Sequence, residues 1–323
     1  MMKTINFIQA INEALREEMA RDKTVILMGE DVTLGAFGQT RGLVEEFGPE
    51  RVRNTPISEP GFTGAGVGAA ASGLRPVVDI MMGNFMYVAM DQFLNQMAKL
   101  RFMSGGQVNF PITIHATIGA GGSAAAQHSD HPVVPFVHTP ILKAVIPSNP
   151  YDAKGLLKSA IRDDNPVIFF EETTLGPIKQ EVPEEEYLVP IGKGDIKREG
   201  KDVTIVAIGC MVPQALSAAE KLAKEGIDVE VVDPRTLVPL DKEIILNSVK
   251  KTGRLVVADD DTPMCSFASE IVTIVAEEGL SYLKSTPKRV TRVNVPVPFS
   301  PIMEKFVLPN DEKIVQAVKE VMA

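Results

Sequence analysis

The chain has 323 residues, which exceeds the usual size of a single hydrophobic core and predicts two domains. Its 33 basic and 42 acidic residues give a net charge of −9, which argues against nucleic acid as a partner, because phosphate binding requires a basic surface. The sequence is 45% hydrophobic, and no apolar run reaches the roughly 18 to 20 residues that span a bilayer. The amino-terminal stretch is amphipathic and unlike a signal peptide, so we expect a cytoplasmic protein without membrane contact.

Strands and helices alternate along the first half of the chain. Thr4 can cap a first helix, whose apolar residues recur at helical spacing. Alternation of this length indicates a parallel sheet with helices on both faces. The strands predicted after the first helix cover residues 25–28, 76–82, 111–116, 141–146 and 167–170, and the helices cover residues 61–73, 85–103 and 151–161.

The helix predicted over residues 61–73 is rich in glycine and alanine, with Gly64 and Gly68 four residues apart. Glycine destabilises a helix by roughly 1 kcal/mol relative to alanine. Close approach of another helix, including one from a second subunit, would offset that cost. An ordinary small-residue packing face within one subunit is the alternative.

The pattern changes between Glu171 and Asp202, where an acidic triplet at residues 184–186 and scattered Gly and Pro replace regular periodicity. We interpret residues 171–202 as the connection between a first domain, residues 1–185, and a second, residues 186–323. The second domain is again α/β. Its predicted strands cover residues 203–208, 229–232, 254–258 and 289–295, and its helices cover residues 212–224, 266–278 and 312–322.

Cysteine and histidine give little sign of a transition metal. Cys210 and Cys265 are too few for a disulfide framework, lack metal-ligand spacing and are expected to pack like ordinary side chains. His128 and His131 flank Asp130, but this loop spacing does not fix ligand geometry and no further cluster supports it.

Glu59 is the first candidate functional residue. It follows a short β-branched run and precedes the glycine-rich helix, so it lies at a strand-to-helix turn, with Pro60 suited to the first helical position and Ser58 or Glu59 to the cap. By its position alone, Glu59 is an acid favoured by the helix dipole. A functional carboxylate is the second interpretation.

Several motifs occur together in one order and cover essentially the whole chain. They resemble the beta subunit of the thiamine-diphosphate-dependent first component of the 2-oxo acid dehydrogenase complexes. The motifs are MGEDV (28–32), GLVEEFGPERVRNTPISE (42–59), GAAASGLRPV (68–77), DQFLNQMAKLRFM (91–103) and QHS (127–129). The resemblance implies a transketolase-like pyrimidine-binding domain followed by a transketolase C-terminal domain.

The resemblance implies that Glu59 is the carboxyl that hydrogen-bonds N1′ of the thiamine aminopyrimidine. That task favours the reactive imino tautomer of the cofactor. A carboxyl group in an apolar pocket suits it, because desolvation raises its pKa and keeps the proton available. By the same resemblance, Ile57, Met81 and Phe85 line the aminopyrimidine pocket; plain core positions are the alternative for each.

His128 is the second catalytic candidate. It follows a Gly/Ala loop, and the matching histidine of the family lines the channel to the cofactor, orients substrate and assists transfer of the fragment to lipoamide. This chain departs from the family nearby. Where relatives often have H-S-Q-S, it has His128-Ser129-Asp130-His131, and Asn84 replaces a frequent aspartate, which bears on substrate identity.

The resemblance also implies a structural potassium ion, whose ligands would come from the end of the helix around residue 160 and the turn that follows. Free carbonyls at a helix end together with an acid suit a hard cation, while a plain helix end and turn is the alternative. The matching residues are Ile112, Ala160, Ile161, Asp163 and Asn165.

Thiamine enzymes hold a magnesium ion on the diphosphate through a Gly-Asp-Gly motif with an asparagine some 25 to 30 residues later. This chain has only Gly194-Asp195-Ile196, in the expected connection. The magnesium and diphosphate ligands must therefore come from another polypeptide. This implies an alpha subunit in an α2β2 heterotetramer, with the thiamine diphosphate shared between subunits and beta subunits associating with each other.

Three functions remain open at this stage. The first is a dehydrogenase component that cleaves acetoin, or decarboxylates a 2-oxo acid such as pyruvate, and passes the fragment to lipoamide of an acyltransferase core. The others are a non-catalytic assembly module and half of a split transketolase-type carboligase. Three stretches favour acetoin: AAAQHS (124–129), PMCSFASEI (263–271) and VPVPFS (295–300).

The segment DPRTLVPLD (233–241) of the second domain resembles a family segment of the form D-x-R-T-L-x-P-L-D. We expect a structural role, with Arg235 donating paired hydrogen bonds to a carboxylate. The resemblance assigns assembly and docking of the acyltransferase to this domain.

Overall fold

The computed structural model describes residues 1–323 and divides them into two compact units. The first comprises Met1–Ile118 and Pro135–Ile191, and the second comprises Gly119–Val134 and Gly192–Ala323. The change at residue 191 falls inside the expected connection, residues 171–202. No sequence pattern indicated that residues 119–134 belong to the second unit.

The first unit is built on a parallel sheet. Six of its strands lie side by side in the order β6-β7-β5-β4-β2-β3, and β1 pairs with β8 in a separate antiparallel pair. The expected connection therefore contains the paired strand β8. The strands are β1 (Met2–Asn6), β2 (Val25–Gly29), β3 (Val52–Asn54), β4 (Arg75–Met82), β5 (Thr113–Ile118), β6 (Lys143–Val145), β7 (Val167–Glu172) and β8 (Lys179–Pro183).

The helices of this part of the chain are α1 (Phe7–Arg21), α2 (Leu43–Phe47), α3 (Glu59–Ala71), α4 (Ala98–Met103), α5 (Val134–Val137) and α6 (Pro150–Arg162). Asn6, not Thr4, caps α1, and it forms a reciprocal capping box with Gln9. The single helix expected over residues 85–103 is instead a 3₁₀ helix, Gly83–Ala89, a π-helical segment, Gln92–Met97, and α4. Asp91 accepts hydrogen bonds from Asn95 and Gln96, and the second spacing matches a π turn.

The core of the first unit combines aromatic packing with buried charges. Phe93 and Phe136 pack edge to face, with ring centroids 5.4 Å apart. On α6, Lys154 and Lys158 are almost fully buried, and both form ion pairs with Glu17 of α1, at 2.6 and 2.7 Å. Since unpaired buried ammonium groups are costly, these pairs fix how α1 packs on α6.

The second unit has a five-stranded sheet in the order β14-β13-β10-β11-β9, in which only β9 is antiparallel. Helices α7 and α11 pack on this sheet around a cluster of buried Val, Ile, Leu and Ala side chains. The elements are β9 (Asp195–Arg198), β10 (Val203–Ala207), α7 (Met211–Ala223), β11 (Val229–Asp233), β12 (Thr236–Val238), α8 (Lys242–Thr252), β13 (Leu255–Ala258), α9 (Phe267–Glu278), β14 (Lys288–Val290), α10 (Pro301–Val307) and α11 (Asp311–Met322).

The arginine of the 233–241 segment donates to two backbone carbonyls and also forms an ion pair with a carboxylate. Arg235 donates from Nε to the carbonyl of Lys193 at 3.1 Å and from Nη2 to the carbonyl of Gly194 at 2.9 Å. Its Nη1 forms an ion pair with the carboxylate of Asp195, at 3.9 Å. Arg235 therefore holds the backbone of residues 193–194 and also contacts an acid.

Candidate functional site

Glu59 is the first residue of α3 and is buried, with 8% of its surface exposed. Ser58 occupies the cap position but makes no side-chain capping hydrogen bond, and Pro60 is the second helical residue. The helix therefore begins two residues earlier than the expected residue 61. A carboxylate on the first turn lies at the positive end of the helix dipole.

A second carboxylate, Glu30, interacts electrostatically with Glu59, and sequence reasoning gave it no role. Glu30 directly follows β2, whose neighbour β3 leads into the turn before Glu59. Oε1 of Glu30 is buried without a hydrogen-bond partner. Burial raises the pKa of Glu30, and the negative charges of Glu59 and Asp31 raise it further. The sequence did contain a signal for Glu30, because this acid of MGEDV directly follows a buried strand. The carboxyl ends of adjacent parallel strands lie at the same edge of a sheet, where Glu59 was also expected.

Met81 interrupts the regular pairing of β4 with β5. Its φ is +66°, which is rare for a residue other than glycine, and the register shifts between Asp79 and Met82. The carboxylate of Asp79 accepts a hydrogen bond from the Met81 N–H at 2.7 Å. This bond holds Met81 in its unusual backbone conformation.

Asp79 belongs to a buried polar network on three adjacent strands. His115 on β5 lies between Asp79, 3.4 Å from Nδ1, and Glu171 on β7, 2.8 Å from Nε2. Gln39 donates to both oxygens of Glu171 at 2.8 Å. Burial acts to lower the pKa of His115, but the two carboxylates outweigh it and raise the pKa to about 10. The imidazole is therefore a cation at neutral pH.

The remaining pocket candidates differ in exposure. Ile57 is 81% exposed and is not a core residue of this chain. Phe85 lies half-buried in the 3₁₀ helix Gly83–Ala89. Glu59, Ile57, Met81 and Phe85 all belong to the first unit.

His128 belongs to the second unit, within residues 119–134. It is exposed and ends the short 3₁₀ turn Ala126–His128. His131, in contrast, is buried, and its charge acts on the fully buried Asp259. Burial raises the pKa of Asp259 to about 6, although the charge of His131 opposes this shift.

The expected potassium ligands surround the turn between α6 and β7. The carbonyls of Ile161 and Asp163 each accept a hydrogen bond from Arg75 Nη1 at 3.1 Å. Lys143 forms an ion pair with the Asp163 carboxylate, and Asn165 donates to it. Burial acts to raise the pKa of Asp163, but the bonds from Lys143 and Asn165 lower it overall.

The carbonyls of the other two candidates also have protein donors. The N–H of Val167 donates to Ile112 at 3.0 Å, and the N–H of Asp163 donates to Ala160 at 3.2 Å. Each carbonyl oxygen has a second lone pair. Coordination of a cation would therefore use that second position on these atoms.

The two cysteines are free thiols, and one of them departs from expectation. Cys210 is partly buried at the start of α7, in contact with the core of the second unit. Cys265 is exposed and does not pack as expected.

None of the helices combines the length and apolarity needed to cross a lipid bilayer.

Two family models together match most of the chain. The transketolase pyrimidine-binding domain matches residues 3–179, and the transketolase C-terminal domain matches residues 192–314. Among solved structures, a split-gene transketolase described as an inactive beta4 tetramer superposes with a TM-score of 0.82. It is 24% identical, and the match covers 98% of both chains. The fold prediction of two transketolase-like α/β domains is confirmed.

Full-length relatives narrow the class further. The acetoin:2,6-dichlorophenolindophenol oxidoreductase subunit beta of Bacillus subtilis is 48% identical, with 100% of this chain and 98% of the relative covered. The 2-oxoisovalerate dehydrogenase subunit beta of the same organism is 43% identical, with 99% of both covered. The pyruvate dehydrogenase E1 component subunit beta of Rhizobium meliloti is 45% identical, and the match covers 99% of this chain and 70% of the relative. The chain belongs to the family of beta subunits of the thiamine-dependent first components of acetoin and 2-oxo acid dehydrogenase complexes.

Proposed function

We propose that this chain, with an alpha subunit in an α2β2 heterotetramer, forms a thiamine-diphosphate-dependent component that cleaves acetoin and passes the two-carbon fragment to lipoamide of an acyltransferase. One observation carries the proposal: the buried Glu59 acts electrostatically on Glu30, and one oxygen of Glu30 is itself buried without a hydrogen-bond partner. Bound thiamine diphosphate supplies the nucleophilic carbon for the carbon–carbon cleavage.

The acid pair fits the aminopyrimidine half of that cofactor. Burial and the negative charge of Glu59 raise the pKa of Glu30, so Glu30 binds a proton more readily than an ordinary carboxyl group. Glu59 would form the hydrogen bond to N1′ of the ring, and Glu30 would be a neighbouring proton-binding group. Ile57 and Met81 would supply apolar contacts, and the exposure of Ile57 in this single chain is consistent with a pocket completed by the alpha subunit.

His128 has a separate task in this proposal. Its exposed imidazole on a loop can hold or move a proton on the substrate oxygen and orient the fragment for transfer. The preference for acetoin is supported by the three sequence stretches noted above and by 48% identity to an acetoin-oxidising relative. Relatives named for 2-oxoisovalerate and pyruvate are 43% and 45% identical, so both 2-oxo acids must be tested as alternative substrates.

We further propose that the turn between α6 and β7 binds a structural potassium ion. The second lone pairs of the Ile112, Ala160 and Ile161 carbonyls and the oxygens of Asp163 and Asn165 would be its ligands, because hard oxygens suit such a cation. Magnesium and the diphosphate would be held by the alpha subunit.

The test is calorimetric titration of thiamine diphosphate with Mg²⁺ into the chain alone and into its complex with the alpha subunit. We expect tight binding only to the complex, because half a site leaves most contacts unmade. The rate at which the complex reduces 2,6-dichlorophenolindophenol is then measured with acetoin, pyruvate or 2-oxoisovalerate, and these rates rank the three substrates. A strong preference for either 2-oxo acid would overturn the acetoin assignment.

Variants of the same complex test the acid. Glu59→Gln is expected to lower turnover about 100-fold or more, in the range of general acid–base contributions. Glu50→Gln, at a side chain 92% exposed, is the matched control and should leave turnover unchanged. Unchanged turnover with Glu59→Gln would favour the assembly-module alternative. Ketol transfer from a sugar phosphate without lipoamide would favour the split-transketolase alternative.

A further inference from the structure

The loop that carries His128 has a backbone that its own sequence does not favour. Ser123 and Ala125 have φ of +53° and +62°, in the left-handed region that side chains other than glycine rarely adopt. Such conformations persist where surrounding structure determines them. The contacts that hold this loop within the second unit are therefore informative.

One contact is the carboxylate of Glu304 on α10. Its Oε1 accepts from the Gly121 N–H at 2.9 Å, and its Oε2 accepts from the N–H and Oγ of Ser123 at 3.0 and 3.1 Å. Glu304 is only 4% exposed, and its backbone is hydrogen-bonded to Ser300 and Leu308. The fixed, buried carboxylate therefore binds loop donors seven and five residues before His128.

The second contact lies directly after His128. Arg292 forms a bidentate ion pair with Asp260, with distances of 2.8 and 2.7 Å. Its Nη1 also donates to the carbonyl of Ser129 at 2.8 Å. Asp260 and Arg292 follow the adjacent parallel strands β13 and β14, and both are about 5% exposed. The guanidinium is held by the sheet edge and so fixes the backbone next to His128.

We propose that Glu304 and Arg292 are positioning residues for His128, clamping its loop on both sides so that the imidazole meets the substrate in one orientation. The two contacts bracket residues 124–128 and leave the His128 side chain itself exposed. This inference rests on the proposed role of His128. The second domain thereby contributes to the reaction as well as to assembly.

A double-mutant cycle on the complex with the alpha subunit tests the clamp. Glu304→Gln removes the charge, and its amide group places a donor against the loop N–H groups. We expect it to lower acetoin turnover about 10- to 100-fold, because small displacements of a reacting group have effects of that size. In a His128→Ala background the same change should lower turnover less than about threefold.

A purely structural role would give the same factor in both backgrounds, and that result would overturn the clamp. Affinity for thiamine diphosphate should stay unchanged in Glu304→Gln, and amide exchange over residues 121–129 should increase. Glu312→Gln, at an exposed acid of α11, is the matched control and should change nothing.

Two further results separate the clamp from the proposed function. If His128→Ala leaves turnover unchanged, the role of His128 and the clamp both fail. If His128→Ala lowers turnover but Glu304→Gln does not, only the clamp fails. Should Glu304→Gln not fold, Ser123→Ala removes a single donor, and the same cycle is expected to show a factor of about 2 to 10 in the parent background alone.

Discussion

His115 is a fully buried imidazolium between two carboxylates, so its effect on stability depends on pH. Its pKa is raised to about 10 in the folded chain, against an ordinary value near 6.5. Between pH 6.5 and pH 10 His115 is protonated in the folded state but largely neutral in the unfolded state. Its contribution to the free energy of unfolding therefore falls as the pH rises. The stabilisation is fully present below about pH 6.5 and is lost through pH 10.

We expect His115→Gln to lower the free energy of unfolding at pH 7 by about 3 to 5 kcal/mol, because Asp79 and Glu171 lose their cation. Denaturant unfolding between pH 7 and 9.5 should also show a flatter pH dependence than the parent. His138→Gln, at an exposed histidine, is the control and should retain the parental slope. A parental slope in His115→Gln would show that this network does not hold the proton.

Sequence reasoning singled out Glu59 and His128 because each lies in a motif readable along the chain. It missed Glu30 and the network of Asp79, His115 and Glu171, because strand register brings these residues together. Asp79 and His115 are paired across β4 and β5 but lie 36 positions apart in sequence. The roles of Glu59 and His128 remain predictions that the variants above test.

At the scale of elements, periodicity located most buried strands and long helices to within a few residues. It missed β1, β8 and β9, which are short and partly exposed, the short strands β3 and β12, and the helices α2, α5, α8 and α10. It also gave one helix over residues 85–103, because apolar spacing does not distinguish 3₁₀, π and α turns. The carboxylate of Asp91 accepts side-chain hydrogen bonds from Asn95 and Gln96 in this stretch.

The turn between α6 and β7 carries the prediction about potassium. We expect KCl to raise the melting temperature by several degrees over NaCl at equal ionic strength, because an ion bound only by the folded state stabilises it. Asp163→Asn should abolish this difference, whereas Glu50→Gln should keep it. Equal melting temperatures in the two salts would mean that the protein's own donors satisfy these oxygens without a potassium ion.

At the scale of the whole molecule, the sequence predicted two α/β domains, and the family models confirm that fold. It did not predict that residues 119–134 fold with the second unit. No composition or periodicity marks such an insertion, because the segment is held by single buried side chains such as Glu304 and Arg292.

Hydrogen exchange tests this division of the chain. Val231→Ala and Val78→Ala remove equivalent buried methyl groups from the second and first units, each expected to cost about 2 kcal/mol. Val231→Ala should accelerate exchange of residues 119–134 about tenfold or more, because the anchors of that segment open with the second unit. Faster exchange of the segment in Val78→Ala than in Val231→Ala would contradict the assignment.

The placement of residues 119–134 matters for anyone who recombines this chain with a relative. A crossover at residue 191 looks natural, yet it would take the His128 loop from one parent and Glu304 and Arg292 from the other. Chimeras that exchange residues 119–134 together with 192–323 keep each loop with its own support. The unit that should be exchanged as a whole is discontinuous in sequence. A chimera joined only at residue 191 divides it.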